Sequence, residues 1–405
     1  KKKPRRTAAL LSVCLLLLCT TYEFSSKMQM IFSDHTENIQ WYRSYTATMK
    51  GELADLMDSD QSLYRVDKNF SRTPMRGANE SLSLGYSSVS NYTSTNNVKE
   101  AVFLKKMGYT NDTTLVPYTA NLVMDSLLGV KYIYSREPIT GCEQIRQDIL
   151  DGINLYRNPY ALPLGYAVNN PETAEDYGTN VFENQTLLCK HLSGQGDGLY
   201  TNAEIQSQDT DGNSWTSWEL KVPDGAFYCY FSNEANNTNI EVNGQYFKTN
   251  PWYENPILYL GEYKSGDTVT IRLLNDEGNY KDDYGLCAAT LNTQVLKNVT
   301  DLLRSRSCTI QKMEKGEVLA EYDAADNETL LLTVPDENGW DLYINGKKST
   351  KYQAENTFIA VPVSKGHNTI QLRYHAPGLR AGIFSSVLAL GLFSFLSLSR
   401  NRKKH

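Results

Sequence analysis

The chain has 405 residues, of which 40% are hydrophobic and 21% are charged, an ordinary composition that argues against wholesale disorder. Its formal charge is −6, yet nine of its 40 basic residues lie at the two tips, which leaves 31 basic against 46 acidic residues between them. Such an acidic interior is a poor match for a phosphate backbone, so nucleic-acid binding is excluded. The 27 tyrosines favour a largely β structure.

The first apolar run follows the basic flank 1–6 and carries no charge until Glu23. We predict a transmembrane helix over residues 7–24, with Tyr22 and Phe24 as interfacial anchors. A signal peptide has the same pattern of a basic start and a short apolar core, and this alternative stays open, although no small-residue cleavage site follows the run.

The second apolar run, residues 381–398, is uncharged and ends in the basic tail 399–405. It predicts a second transmembrane helix. Because basic flanks stay in the cytoplasm, we expect residues 25–380 to lie outside it, with both termini inside. The chain begins without Met at a basic flank, so we interpret it as the C-terminal part of a longer polytopic membrane protein.

The first half of the external region alternates helices and strands. Residues 25–60 form a linker and an amphipathic helix, whose predicted apolar face contains Ile39, Tyr42, Met49, Leu53, Leu56 and Met57. Further helices are predicted over 96–107 and 121–128, and a strand over 130–134. The pattern indicates an α/β domain over residues 61–185.

Turn signals every 8 to 12 residues then predict two β-sandwiches, over 186–304 and 305–380, with one helix over 293–304. Three short elements recur in the same order, which favours tandem, jelly-roll-like sandwiches or one double sandwich. The pairs are LKVPD at 220–224 with LTVPD at 332–336, Asn243-Gly244 with Asn345-Gly346, and a glycine before the last strand at 266 and 366. The predicted fold class is therefore an α+β extracytoplasmic region flanked by two transmembrane helices.

Several of these segments, taken together and in order, resemble the YfhO family of bacterial membrane proteins. The matching segments are LYRVD at 63–67, GYSS at 85–88, YTSTN at 92–96, Met107-Gly108, DSLLGVKY at 125–132, LYRN at 155–158, ALPLG at 161–165, Val334-Pro335, Gly339-Trp340, Asn345–Lys347, and GHNTI at 366–370 before Tyr374. No single segment would suffice, but their order covers the chain from about residue 60 onward.

The resemblance implies a glycosyltransferase of the GT-C type, which uses lipid-linked sugars. Members are thought to move a sugar from undecaprenyl phosphate to an extracytoplasmic acceptor, with lipoteichoic acid the best supported. The implied partners are the lipid bilayer, the polyprenyl-phosphate-linked sugar and a cell-wall or lipoteichoic-acid glycan. The catalytic carboxylate is expected in an earlier loop, outside this chain, so its catalytic residues are unknown.

Candidate substrate-binding residues lie in the segment after the amphipathic helix. Arg65, Arg72 and Arg76 offer guanidinium groups that suit bidentate phosphate contact, although they also fit surface arginines paired with acids. Tyr86, Ser88, Asn91 and Tyr92 lie in a hydroxyl- and amide-rich turn that suits sugar contact, although a loop packed by its own hydrogen bonds fits equally.

Trp215, Trp218 and Trp252 are the candidate stacking residues for sugar rings, with core packing as the alternative. They support a second functional hypothesis, a non-catalytic module that binds cell-wall glycan. The segment Asp209–Asn213 starts like a calcium loop but has Leu220 at the twelfth position, so an Asp/Gly turn is favoured. No cofactor is identified, and a divalent cation stays open for the full-length protein. The seven cysteines show no disulfide framework.

Overall fold

The computed structural model describes residues 3–35, 39–70, 79–93, 95–109, 115–170, 177–211, 214–231, 239–247, 257–274 and 285–402. The chain divides into two compact units, one containing the residues up to Asp60 and the other the described residues from Gln61 onward. The fold is α+β, as predicted, and rich in sheets of four or five strands.

Eight helices occur in the described residues. They are α1 (Lys3–His35), α2 (Ile39–Ser59), α3 (Glu80–Leu84), α4 (Val98–Lys106), α5 (Leu122–Leu127), α6 (Val181–Ser193), α7 (Thr293–Ser305) and α8 (Leu379–Arg402). The predicted helices over 96–107, 121–128 and 293–304 correspond to α4, α5 and α7.

Asparagine side chains cap four helices of the second unit, α4 to α7. Asn97, Asn121, Asn180 and Asn292 each accept a backbone N–H of the first turn, at distances of 3.0 to 3.3 Å. This satisfies donors that a helix start leaves free. The sequence places the start of α4 at the Ser94–Asn96 cluster, whereas the cap is one residue later.

The first unit contains α1 and α2. Tyr45, Met49, Leu53 and Leu56 of α2 are buried, at the spacing of one helix face. The predicted apolar face was partly wrong, because Ile39, Tyr42 and Met57 are 62%, 39% and 39% exposed. Tyr45, which the sequence reading did not assign to this face, stacks on Trp41 with ring centroids 5.2 Å apart.

The predicted membrane spans fall within α1 and α8. Over the residues that the structure describes, no helix is long and apolar enough to cross a membrane, so neither span is confirmed.

The strands of the second unit form five sheets of four or five strands each and one short two-stranded ladder. The first twelve are β1 (Arg65–Lys68), β2 (Asn91–Tyr92), β3 (Leu115–Val116), β4 (Val130–Ser135), β5 (Glu143–Leu150), β6 (Ile153–Arg157), β7 (Gly165–Val168), β8 (Tyr200–Asn202), β9 (Glu204–Thr210), β10 (Trp215–Val222), β11 (Gly225–Phe231) and β12 (Asn239–Val242). The others are β13 (Gln245–Phe247), β14 (Leu258–Tyr263), β15 (Asp267–Leu274), β16 (Leu286–Leu291), β17 (Thr309–Glu314), β18 (Glu317–Ala324), β19 (Glu328–Pro335), β20 (Trp340–Ile344), β21 (Lys347–Ser349), β22 (Tyr352–Ala354), β23 (Phe358–Val363) and β24 (Gly366–Tyr374).

A mixed sheet of order β1-β4-β6-β5 comes first, with β1 parallel to β4 and the other pairs antiparallel. Sheets β13-β12-β15-β10-β9 and β14-β11-β16-β8 face each other across a core that contains Trp218, Phe227 and Ile271, and we call them the first sandwich. Sheets β17-β18-β24-β20-β21 and β22-β23-β19-β7 likewise enclose Leu332 and Ile370, and we call them the second sandwich.

A third core lies on the outer faces of two of these sheets. Helices α4 to α7 pack there against residues of β11, such as Tyr228, and residues of β19 and β23, such as Leu331 and Ala360. Because β11 and β23 are covered on both faces, they are almost continuously buried and lack the alternation that the sequence predicts for one-sided strands.

The five-stranded sheets of the two sandwiches share one strand order. In each, the Asn-Gly hairpin joins two strands beside the long last strand of its sheet, and both residues have positive φ, as a type I′ turn requires. The side-chain oxygens of Asn243 and Asn345 accept the backbone N–H groups of Thr270 and Thr369, at 2.9 and 2.8 Å. This part of the predicted repeat is confirmed.

The prediction that the two Val-Pro-Asp segments are equivalent was wrong. It ends β10, which pairs with β15, in the first sandwich, but it lies at the end of β19, which pairs with β23 and β7, in the second. The strand equivalent to β10 is β18, because β18 pairs with β24 as β10 pairs with β15. The similarity of the two pentapeptides therefore reflects similar strand ends at different places in the sandwiches.

Candidate functional site

The turn predicted to contact sugar lies against β1. The backbone N–H of Val66 donates to the Ser87 carbonyl at 2.8 Å, and the N–H of Ser90 donates to Asp67 Oδ2 at 3.1 Å. The Ser90 hydroxyl donates to the other oxygen of the same carboxylate. Asp67 is 1% exposed, so a buried carboxylate fixes this turn.

Two polar side chains of the turn bind the turn itself. Ser88 Oγ donates to the Ser90 carbonyl at 2.7 Å, and Asn91 Nδ2 donates to the Val89 carbonyl at 3.2 Å. Tyr92 exchanges backbone hydrogen bonds with the side chain of Asn79 and is 44% exposed. These bonds favour the reading of a self-packed loop, and sugar contact by these residues stays a prediction.

Tyr86 is largely buried in the same turn. Burial raises the pKa of its hydroxyl well above the usual value, and the nearby charges of Glu80 and Asp67 add to the shift. The phenol is therefore a hydrogen-bond donor at every physiological pH.

Arg65 is a structural residue in this fold, which disfavours the predicted phosphate contact, and that contact stays a prediction. Its side chain is buried, and its guanidinium donates to Thr333 Oγ1 at 2.9 Å, to the Thr333 carbonyl at 2.5 Å and to the Leu128 carbonyl. Burial lowers its pKa to about 10, against the opposing charge of Glu100. Its donors are thus committed to β19 and to the end of α5. Arg72 and Arg76 lie outside the described residues.

The sequence reading missed a pair of buried carboxylates. Asp125 of α5 is 2% exposed and accepts a hydrogen bond from the Tyr118 hydroxyl at 3.1 Å. Burial raises the pKa of Asp125 well above its usual value, and the charge of Asp67 raises it further. Burial likewise raises the pKa of Asp67. The signal in the sequence was an aspartate within the apolar stretch Leu122–Leu127.

The raised pKa of Asp125 predicts that the free energy of unfolding falls as pH rises. Because the folded chain holds this proton more tightly than the unfolded chain, stability should fall as pH rises from about 4 towards the folded-state pKa. Asp125→Asn should remove most of this fall. Denaturant unfolding of the detergent-solubilised chain between pH 4 and 8 measures the free energy of unfolding of each variant, with Asp326→Asn, at an exposed position, as the control. If the free energy of unfolding changed with pH to the same extent in both variants, the expectation would be contradicted.

The predicted stacking tryptophans fall in different environments. Trp218 is 1% exposed and packs on Phe231 in the core of the first sandwich, which favours the core-packing alternative for this residue. Trp215 is half-buried, and the guanidinium of Arg272 lies 4.8 Å from its ring centroid. Trp252 lies outside the described residues.

An open groove of about 640 Å³ lies in the second sandwich, at the edge between its two sheets. The groove is lined by Asn327, Glu328, Thr329, Ile344, Asn345, Lys347, Lys348, Ser349, Pro362, Val363, Ser364 and Asn368. The sequence reading contained one part of it, the Asn345–Lys347 hairpin, as a motif of the family resemblance. The rest comes from separate strands that only the fold brings together.

Hydrogen bonds hold the walls of the groove. Asn368 is 2% exposed, and its Nδ2 donates to the Ser364 and Gly366 carbonyls at 2.7 and 2.8 Å. Glu328 accepts from Tyr322 at 2.9 Å and lies 3.3 Å from Arg306. The negative charge of this carboxylate is therefore compensated by Arg306. The arrangement suits binding of a polar chain rather than proton transfer.

Metal ligation finds no support in the described part of the chain, where no three His, Cys, Asp or Glu side chains are grouped to hold an ion. In the predicted Asp/Gly turn, Asp211 accepts the backbone N–H groups of Ser214 and Trp215, at 2.6 and 2.9 Å. Each of the seven cysteines is a free thiol.

The family model described as bacterial membrane protein YfhO matches residues 2–386 of this chain. The chain therefore belongs to the YfhO family, and the resemblance drawn from its segments is confirmed. A curated relative, the uncharacterized protein YfhO of Bacillus subtilis (strain 168), is 30% identical over 104 residues. That match covers 26% of this chain and 12% of the relative's own length.

Among solved structures, a cycloisomaltooligosaccharide glucanotransferase from Paenibacillus sp. is 10% identical, over 42% of this chain and 44% of that one, with a TM-score of 0.15. A GH2 beta-galacturonidase from Eisenbergiella tayi is 8% identical, over 44% of this chain and 35% of that one, with a TM-score of 0.16. Similarities this low carry no inference about this chain.

Proposed function

We propose that this chain is the extracytoplasmic, acceptor-binding region of a membrane glycosyltransferase. The full-length protein moves a sugar from undecaprenyl phosphate to a cell-surface polymer such as lipoteichoic acid, and the catalytic carboxylate lies in an earlier part of it. The observation that carries the proposal is the groove of the second sandwich. Its amide and hydroxyl groups suit a polyhydroxylated chain, and it is open to solvent.

Exposed apolar side chains support an attachment to the bilayer. In the part of α8 whose side chains the structure describes, up to Phe395, the large hydrophobic residues are 55% to 71% exposed, on every side of the helix. Lipid would remove this surface from water. In the proposed topology, α1 and α8 lie in the membrane and the basic tips stay in the cytoplasm.

A non-catalytic glycan-binding module is the second candidate. The observation that favours it is the chemistry of the carboxylates: Asp67 and Asp125 are buried, and Glu328 in the groove is paired with Arg306. In this alternative the groove only positions the membrane part beside the cell wall.

Filling the groove tests the proposal. Ser349 lines the groove on β21, and Ser349→Trp should block it. A strain that lacks the full-length gene is complemented with wild type, with Ser349→Trp, or with Thr309→Trp, which places the same bulk on the exposed edge strand β17. We expect wild type and Thr309→Trp to restore the missing sugar on purified lipoteichoic acid or wall polymer, and Ser349→Trp to restore less than a tenth of it.

The outcomes separate the two candidates. Loss of one sugar in the deletion strain, with no recovery by Ser349→Trp, supports the transferase. An unchanged sugar composition in the deletion strain, with the protein confirmed in wild type, contradicts it. If Ser349→Trp then also abolishes binding of the purified protein to cell-wall polymer, the binding module becomes the better proposal.

A further inference from the structure

We propose that the outward face of α4 lies on the surface of the bilayer and determines which end of the second sandwich faces the membrane. The partner is the phospholipid interface, with Val98 and Val102 against the lipid chains and Lys99 and Lys105 at the phosphate groups. The proposal rests on the topology in the proposed function. That topology places α1 and α8 in the membrane and assigns no lipid contact to the folded region between them.

The outward face of α4 is apolar and basic. Val98 and Val102 are 69% and 48% exposed and lie one helical turn apart, while Leu104 on the opposite side is buried in the core. Lys99 and Lys105 are exposed on the same side as the valines. Lipid contact would remove the valine side chains from water, and lysines beside apolar residues are typical of helices that lie in the interface.

α4 lies at one end of the second sandwich. Lys99 Nζ donates to Gln353 Oε1 of β22 at 2.9 Å, and the ring centroids of Phe103 and Phe358 are 5.2 Å apart. Phe358 begins β23 and pairs with Pro335, the last residue of β19. The helix therefore packs where β19 ends and β23 begins.

The start of α8 lies at the same end. The hydroxyl of Tyr374, the last residue of β24, donates to Glu337 Oε2 at 3.0 Å, just after β19 ends. Burial raises the pKa of Glu100 in α4, and the nearby charge of Glu337 adds to the shift, against the opposing charge of Arg65. α8 begins at Leu379, five residues after Tyr374 and therefore within about 17 Å of it. In the proposed topology α8 enters the bilayer there, so α4 lies near the lipid surface.

An aromatic pair lies at this end as well. Trp340 and Tyr374 contact each other edge to face, with ring centroids 5.1 Å apart, and both are half-buried. Tryptophan and tyrosine are enriched where a protein meets the lipid headgroups. The pair is consistent with a headgroup level at the end of β24 that α4 covers.

This contact turns the groove of the second sandwich away from the bilayer. β24 has nine residues, so its two ends are about 27 Å apart. The groove residues Ser364 and Asn368 lie at its Gly366 end, whereas Tyr374 is at the other. The groove therefore faces the space outside the membrane when α4 rests on the lipid.

Spin-label accessibility of the full chain tests the proposal. The chain carries Cys14→Ser and Cys19→Ser, which remove the exposed thiols of α1, and is placed in nanodiscs that contain phosphatidylglycerol. A nitroxide is attached at Val102→Cys, at Leu388→Cys in α8, or at Asp326→Cys, in an exposed turn at the far end of the second sandwich. The background without an added cysteine corrects for labelling of the native thiols.

The ratio of nitroxide collisions with oxygen to collisions with a water-soluble nickel complex distinguishes lipid from water, because oxygen concentrates in lipid. We expect this ratio to be at least about two-fold higher at Val102 than at Asp326, since the apolar face of an interfacial helix is buried below the headgroups.

A charge reversal tests the phosphate contact. Lys105→Glu should lower the ratio at Val102 towards that at Asp326, because the anionic lipid surface attracts a lysine and repels a carboxylate. Lys365→Glu is the matched control, since it reverses the charge of an exposed lysine at the far end of the sandwich. It should leave the ratio unchanged. Equal ratios in the two variants would overturn the phosphate contact.

The label positions separate the failure of this proposal from that of the topology. Water-like accessibility at Val102, with lipid-like accessibility at Leu388, would overturn the surface contact and leave the topology standing. Water-like accessibility at both positions would remove the support for both. Few collisions with either reagent at Val102 would show that protein covers this face of α4, which also overturns the proposal.

Discussion

Gly165→Ala should destabilise the second sandwich by about 1 to 3 kcal/mol, the usual range for forcing an extra group into a packed core. Gly165 begins β7, which pairs with β19. A Cβ at this position would lie 2.5 Å from Cys308 Sγ and 2.7 Å from Leu332 Cδ2, both in the core. The neighbouring side chains must therefore move, or β7 must separate from the sheet.

Hydrogen exchange of the β19 amides, together with denaturant unfolding of the detergent-solubilised chain, measures the effect. Gly178→Ala is the matched control, because an added Cβ there meets nothing within 4 Å. Cys308→Ala in the Gly165→Ala background should recover part of the loss, since it removes the nearer obstacle. Wild-type exchange rates in Gly165→Ala would contradict the prediction, because the core would then accommodate the added methyl group without displacing β7.

Arg65→Met should cost about 3 kcal/mol, because it leaves buried carbonyl groups without their charged donor. The guanidinium joins β1 to residues 268 positions further along the chain, so its loss should loosen the second sandwich as well as the first sheet. Thermal unfolding measures the effect. Arg136→Met is the control, since that side chain is exposed and its described contacts are a hydrogen bond of 3.3 Å to a carbonyl and a position 5.1 Å from the Phe70 ring centroid.

This variant also tests the role that the sequence suggested for Arg65. A structural arginine predicts lower stability and no change in the stabilisation of the chain by added inorganic phosphate. Normal stability with a lost response to phosphate would restore the binding role.

Local patterns predicted the elements that depend on nearby residues. The helices α4, α5 and α7 follow from apolar spacing and from asparagine or glycine at their ends, and both Asn-Gly hairpins follow from turn chemistry. These signals act over a few residues, so they persist in any tertiary setting. The same limit explains the error over Val-Pro-Asp, since a strand end looks alike wherever its strand lies.

The candidate site was predicted less well, because exposure depends on what packs against a residue. Trp215 and Trp218 belong to one strand, yet the first is half-buried and the second is in the core. The alternation of Trp218, Leu220 and Val222 with Ser217, Glu219 and Lys221 marks the inward face of this strand, and the sequence-based prediction of stacking residues did not use it. The groove was not predicted as a whole, since its lining comes from strands β19, β20, β21, β23 and β24 and the turns between them.

The sequence by itself determined the family, the α+β class, the helices and the repeated hairpins, because these follow from short motifs and local periodicity. Only the tertiary structure decided that β7 completes the second sandwich, that Arg65 bonds to Thr333, and that Asp67 and Asp125 share a buried region. These contacts join segments that are far apart in the chain. Their free energy comes from burial and long-range pairing, which no local pattern encodes.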